Sequence, residues 1–212
     1  MIRILSFALP SRREFLAGGG ATLLLAGCGS IIGPVTHQIY VLQPDAQPAA
    51  GGAPVKWQLV IAMPDVPASL DTDRIALSKT PDTLDYFANA DWPDRVPQLV
   101  QQLLLEAFET SGRVPAVARD TAGLRADYLL QPEIRAFEAH YEAPDAAPRV
   151  VARIAVRLVK LPSRDIVGTF VAEREAAAAA NNLGAIVRAF DQALGGVLAQ
   201  IVDWALHTGS AT

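Results

Sequence analysis

One cysteine and three histidines are all that this chain offers to thiol or soft-metal chemistry. A lone cysteine forms no intramolecular disulfide and no cysteine-rich metal site. His37, His140 and His207 stand far apart, without HExxH or Cys-His spacing, which leaves metal-assisted hydrolysis without ligands. A GxSxG elbow is missing, and so is a phosphate-cradling glycine loop, since Gly18 to Gly20 lie within the stretch that reads as a removed signal. The acidic residues Asp71 and Asp73 sit beside Arg74 next to a turn, where capping and orienting the loop outweighs acid-base work. No basic cluster is present either, which argues against nucleic acid and against electrostatic binding to anionic headgroups. Nothing in this inventory supports an enzyme, a metal or a cofactor.

What is present begins at the amino terminus. Arg3, Arg12 and Arg13 precede an apolar stretch from Phe15 to Ala26, then Gly27 and Cys28. A basic start, an apolar middle of about 7–15 residues and small residues at its end describe a secretory signal. The middle is too short to span a bilayer, which takes about 20 apolar residues. Ser11-Arg12-Arg13-Glu14-Phe15-Leu16 resembles the bacterial twin-arginine export signal, with ordinary Sec export as the other route. Leu25-Ala26-Gly27-Cys28 resembles the lipobox of bacterial lipoproteins, in which the cysteine is lipidated and becomes the new amino terminus. The reading divides the chain into a cleaved signal (1–27), a lipidated cysteine with its tether (28–36) and a domain (37–212). Removing the signal takes three arginines and one glutamate from 18 basic and 22 acidic residues, which leaves 15 and 21 and a formal charge of −6. The lipid on Cys28, rather than surface charge, then holds the protein to its membrane; stable attachment needs more than one acyl chain.

Within the domain, short strands are predicted over His37–Leu42, Trp57–Met63, Asp73–Ser78 and Thr83–Phe87, with a Pro/Gly/Ala-rich loop over 44–55. The period then changes. Val96, Leu99, Val100, Leu103, Leu104, Ala107 and Phe108 recur at steps of three and four, which predicts a helix with Asp94 as N-cap and Gly112 just past its end. Three strands follow, over Tyr128–Phe137, Arg149–Leu161 and Asp165–Glu173, and their short connections predict an antiparallel meander. Pro132 suggests an edge position or a bulge. In the middle strand Val150, Ala152, Ile154, Val156 and Leu158 share one face, while Arg153 and Arg157 point from the other, a solvated or interface-forming face. A second, longer helix runs from Leu183 to Ala205 after Asn181-Asn182, either of which can cap it. It is interrupted by Gly195-Gly196, which predict close packing on the sheet or on the first helix, with a kink or a partner-facing notch as the alternative. Tyr86, Phe87, Trp92 and Trp204 read as core aromatics, with a lipid-facing or partner-facing surface as the functional alternative. The fold class is α+β: a two-layer sandwich, an antiparallel or mixed sheet with two long amphipathic helices on one face.

Several of these pieces, in order, resemble the ABC-type transport auxiliary lipoproteins, the family that includes the lipoprotein of paraquat-inducible operons. They are Tyr40-x-Leu42-x-Pro44, Leu70-Asp71-Thr72-Asp73-Arg74-Ile75, Leu84-Asp85-Tyr86-Phe87, Trp92, Tyr128-Leu129-Leu130, Ile134-Arg135-x-Phe137, Ala189-Phe190-Asp191-x-Ala193-Leu194 and Trp204. The resemblance implies a non-catalytic periplasmic component that works with an inner-membrane permease, a cytoplasmic ATPase and a substrate-binding protein of the mammalian-cell-entry (MCE) type. Such a system moves phospholipid or other apolar molecules across the envelope. Gly29 follows Cys28 where an aspartate would signal inner-membrane retention, so the expected location is the outer membrane, facing the periplasm. A large apolar core, one anchor and no catalytic set lead to the further expectation that the domain docks through its surface as a homo-oligomer. Two other classes stay open: a scaffold or assembly lipoprotein of another envelope machine, and an envelope hydrolase, which has no residue set behind it.

Overall fold

Alternation of period 2 and period 3.6 along the chain resolves into eight strands and two helices in the computed structural model, which describes residues 37–48, 52–80 and 82–211. All of these belong to one unit, Thr36–Thr212. The signal residues Arg12, Arg13, Phe15 and Leu16, the cysteine Cys28 and the tether lie outside the described residues.

The sheet is organised around β6 (Tyr128–His140). One of its edges carries β7 (Arg149–Lys160) along its whole length, antiparallel, and β7 in turn carries β8 (Asp165–Ala177). Two strands share the other edge end to end. β2 (Leu59–Ile61) runs parallel to Tyr128–Leu130 and continues to β5 (Val117–Arg119). β3 (Arg74–Thr80) runs parallel to Ala139–His140 and continues to β4 (Thr83–Asp91) and the short β1 (Gln38–Ile39). The sheet is therefore mixed, with the expected meander confined to β6, β7 and β8. β5, three residues long and without alternation, has no counterpart in the sequence reading.

Pro132 is not at an edge; it lies in the central strand. A proline there is tolerated because β2 leaves the sheet at this point. The Asp65 amide reaches the Pro132 carbonyl at 3.0 Å and the Ile134 amide reaches the Asp65 carbonyl at 2.8 Å, one residue out of the β2 register. The missing N–H falls where that edge changes partner.

α1 (Val96–Ser111) starts with Pro97 in its first turn and stops at Gly112, whose φ of +62° suits the left-handed C-cap. The N-cap is Arg95, not Asp94. Asp94 Oδ1 accepts its neighbour's amide, Arg95 N–H, at 2.7 Å, while the Val96 amide is taken by the Thr72 carbonyl at 3.0 Å. α2 (Leu183–Ser210) is capped by Asn182, whose Oδ1 accepts from the Ala185 amide at 3.0 Å. It is long and apolar enough to cross a membrane, yet 67% of its most apolar stretch is buried within this fold. It lies on β7 and β8, and α1 lies beside it near β2 and β5.

The core sits between this helical layer and the inner sheet face. Phe137 of β6 and Phe190 of α2 approach at 4.8 Å between ring centres, and Trp92 meets Phe190 edge-on at 5.2 Å. Phe170 and Trp204 stack at 5.6 Å at the β8 end.

The two interior glycines have different neighbours. A Cβ on Gly196 would come within 2.8 Å of the Arg174 side chain on β8, so this one does pack on the sheet. A Cβ on Gly195 would come within 2.8 Å of the Asp45 carbonyl oxygen. Its neighbour is the segment following β1, neither the sheet nor α1. That segment is strapped across α2. Leu42 is buried, and the Gln43 amide donates to Asp191 Oδ1 at 2.6 Å. Burial pushes the Asp191 carboxyl above its ordinary range, against the opposing pull of that amide.

Candidate functional site

Side chains of a strand alternate between faces, so the residues that are not in the core of β6, β7 and β8 form one outer surface. The register sets its rungs. Gln131, Arg157 and Thr169 lie across one; Glu133, Ala155 and Val171 across the next; then Ala136, Arg153 and Glu173; then Glu138, Val151 and Glu175. Arg153 and Arg157 are thus on the outer face, as the alternation predicts.

One residue of β6 interrupts the ladder. Ile134 pairs with Ile154 and Ala136 with Arg153, which leaves Arg135 as the extra residue of a bulge. The bulge turns the Arg135 side chain back along its own strand, and its Nε donates to Glu133 Oε1 at 3.1 Å. Arg157 Nη2 donates to the other oxygen, Glu133 Oε2, at 3.4 Å. The Arg135 hydrogen bond, and behind it the charges of Arg135 and Arg157, hold the Glu133 carboxyl below the usual carboxylate range although partial desolvation opposes them. A second pair crosses from β7 to β8, where Arg153 Nη2 donates to Glu173 Oε1 at 2.7 Å and lowers that carboxyl in the same way. Arg149 sits between Glu142 at 3.3 Å and Glu175 at 3.4 Å.

Glu133 and Arg135 form a wall common to two hollows. One, about 400 Å³, is floored by Ala155 and rimmed by Gln131, Arg157, Thr169 and Val171. The other, about 430 Å³, opens toward Asp65, Val66 and Pro67. The margin is apolar and exposed on β8, with Ile166 59% and Val171 45% accessible. β8 pairs only with β7, so its far edge has no strand partner among the described residues. The surface combines fixed charges, hollows and an open edge, a combination suited to holding another macromolecule.

The other residues singled out from sequence are held by local contacts or lie at element ends. Asp71 pairs with Arg95 rather than Arg74, and Arg74 lies over the Tyr86 ring at 4.2 Å. His37 Nδ1 meets Asp91 Oδ2 at 2.7 Å across the β1–β4 pair, while His140 ends β6 and His207 lies in the last turn of α2. Among the described residues no group of three His, Cys, Asp or Glu side chains is placed to hold a metal ion. Glu133 escaped the sequence reading, and Arg135 entered it only as part of a family resemblance, not as a site residue. Their signal is there: Leu130, Pro132 and Ile134 recur at steps of two, and the next core residue, Phe137, comes after three.

With fold and surface in hand, the class is defined: an α+β domain with one packed and one open sheet face. The family profile of the ABC-type transport auxiliary lipoprotein component matches residues 40–202, and the chain belongs to that family. A crystal structure of a Xanthomonas campestris protein of the DUF330 family is 29% identical, with a TM-score of 0.77 over 82% of this chain and 97% of that one. A crystal structure of an uncharacterized protein, 14% identical, shares the fold at a TM-score of 0.62 over 79% of this chain and 97% of its own. An uncharacterized protein of Bradyrhizobium diazoefficiens is 26% identical over 191 residues, covering 90% of this chain and 47% of the relative. The chain therefore spans about half the length of the curated relative it matches.

Proposed function

We propose that this chain is a periplasmic lipoprotein held in the outer membrane by the lipid on Cys28, with residues 1–27 removed and 28–36 as its tether. It serves as a non-catalytic auxiliary component of an MCE-type ABC system that moves phospholipid or other apolar substrates across the envelope. The observation that carries the reading is the family match over residues 40–202. The geometry adds a surface to it. The outer face of β6, β7 and β8, with its Glu133–Arg135–Arg157 cluster, is where the substrate-binding protein of that system docks, and the lipoprotein presents it as a homo-oligomer.

Co-purification of the full-length chain in mild detergent with the MCE-type protein tests the docking. Capture is expected, and Arg153→Glu combined with Arg157→Glu should weaken it at least tenfold. A full-length chain that remains a monomer by light scattering and captures no such protein would sink the docking claim. The anchor is tested by Cys28→Ser, which should be neither lipidated nor cleaved at that position. A variant of mature size that still fractionates with the outer membrane would refute it.

A further inference from the structure

A recess of about 330 Å³ lies where the first turns of α1 face the end of β5 and the chain leaving β2. Its cation is Arg119, the last residue of β5. Gln101 of α1 is 2% exposed and donates Nε2 to the Ile61 carbonyl at 3.1 Å, which leaves its Oε1 to accept from Arg119 Nε at 3.2 Å. Gln102 Oε1 accepts from Arg119 Nη2. Both partners are neutral amides, so they aim the guanidinium without cancelling its charge. No carboxylate forms an ion pair with Arg119 among the described residues, in contrast to Arg135, Arg153 and Arg157 on the outer face. An arginine fixed by neutral groups is suited to a phosphate, which matches its fork of donors.

The opposite need is present in the same recess. Gln98 Oε1 is buried without a hydrogen-bond partner, an arrangement that folded proteins rarely leave unexplained. Asp94 spends Oδ1 on the Arg95 amide at 2.7 Å and has no other partner among the described residues. Both are acceptors lining the recess that holds the Arg119 cation. Met63, 44% exposed, and Leu99 supply apolar surface beside them. The helix end itself adds little, since the Val96 amide is taken by Thr72 and Pro97 has no N–H.

A ligand that satisfies all of these carries an anion for Arg119, N–H donors for Asp94 and Gln98, and carbon for Met63 and Leu99. We propose that the recess binds a phosphoethanolamine group, with its phosphate on Arg119, its ammonium on Asp94 and Gln98, and the adjoining glyceryl carbons against Met63 and Leu99. The inference rests on the reading of the protein as a phospholipid-handling component and names the headgroup it recognises. Its volume lies within the range of small-molecule sites.

The test is a calorimetric titration of the full-length chain in non-ionic detergent with four probes: sn-glycero-3-phosphoethanolamine, dihexanoyl-phosphatidylethanolamine, sn-glycero-3-phosphoglycerol and inorganic phosphate. Both ethanolamine probes should bind saturably, and the glycerol probe and phosphate at least tenfold more weakly. Tighter binding of the dihexanoyl probe assigns a membrane lipid as the source, and equal binding assigns a soluble ester; either upholds the site. Arg119→Gln should lose at least tenfold affinity, Arg119→Lys should lose less, and Asp94→Asn should erase the preference for ethanolamine over glycerol, all with unchanged melting. Failure of both ethanolamine probes to saturate, equal binding of the glycerol probe, or unchanged affinity in Arg119→Gln would overturn the proposal. The titrations use the purified chain alone, so their failure leaves partner capture standing, and failed capture leaves the titrations standing.

Discussion

The two faces of β6, β7 and β8 are made by the same residues' neighbours, one position apart, and they do opposite things. Toward the helices, Val150, Ala152, Ile154, Val156 and Leu158 are at most 1% exposed and meet a layer of aliphatic and aromatic side chains. Toward solvent, Arg153, Arg157, Glu133 and Glu173 keep between 35% and 45% of their side-chain surface and meet one another. Burying a large apolar side chain is worth about 1.5–3 kcal/mol, whereas an exposed ion pair is worth about 0.2–1 kcal/mol. Folding energy is therefore concentrated on one face. The other face is left able to vary its charges and hollows at small cost in stability, which is what a recognition surface requires.

The most forceful way to break this comparison is to attack the inner face. Phe190 is fully buried and touches both Trp92 and Phe137, so Phe190→Ala removes a ring that its neighbours cannot replace. The expected loss is about 3–5 kcal/mol in urea unfolding, a large share of the roughly 5–15 kcal/mol that keeps an ordinary domain folded. A loss below about 1 kcal/mol would mean that the stability lies elsewhere.

Periodicity is what made the inner face legible. Two helices, the β7 alternation and the caps Asn182 and Gly112 all follow from local rules, and they agree with the observed elements to within a few residues. Features set by contacts distant in sequence were not legible. β5 exists because β2 offers it an edge, and Pro132 is tolerated in a central strand because β2 departs there. Gly195 is explained by Asp45, 150 positions earlier, which no local pattern announces. The outer face was half legible: alternation placed Arg153 and Arg157, but the bulge at Arg135 that builds the Glu133 cluster needs the register of both strands.

The adjacent glycines sharpen the comparison at an intermediate scale. Gly195→Ala drives a methyl into the Asp45 backbone, with the carbonyl oxygen at 2.8 Å and its carbon at 3.1 Å, so the strap or the helix must move. A destabilisation of about 1–3 kcal/mol is expected, as for other overpacked sites. Gly196→Ala brings its methyl to 2.8 Å from Arg174 Cγ and 3.3 Å from its Cδ, so that side chain must shift, a cost set against a gain of up to about 1 kcal/mol of helix propensity. The Gly195 variant should therefore melt below the Gly196 variant. Equal shifts would show that the strap yields as easily as a side chain does.

The smallest effect tests the outer face itself. Removing Arg153 or Glu173 should cost about 0.2–1 kcal/mol in a double-mutant cycle, and the coupling should shrink as salt is raised. Its pH dependence has a definite sign. The Glu133 and Glu173 carboxyls are lowered from 4.5 in the folded chain by their arginine hydrogen bonds. Their contribution is therefore complete above the ordinary glutamate range and fades as pH falls through the lowered values. Arg153, raised by the same bond to Glu173, stays charged throughout. A coupling of several kcal/mol that ignores salt would mean that these charges are not in water at all. In that case copies of the chain, or a partner, already cover the face in solution, and the contrast between the two faces would belong to the isolated chain only.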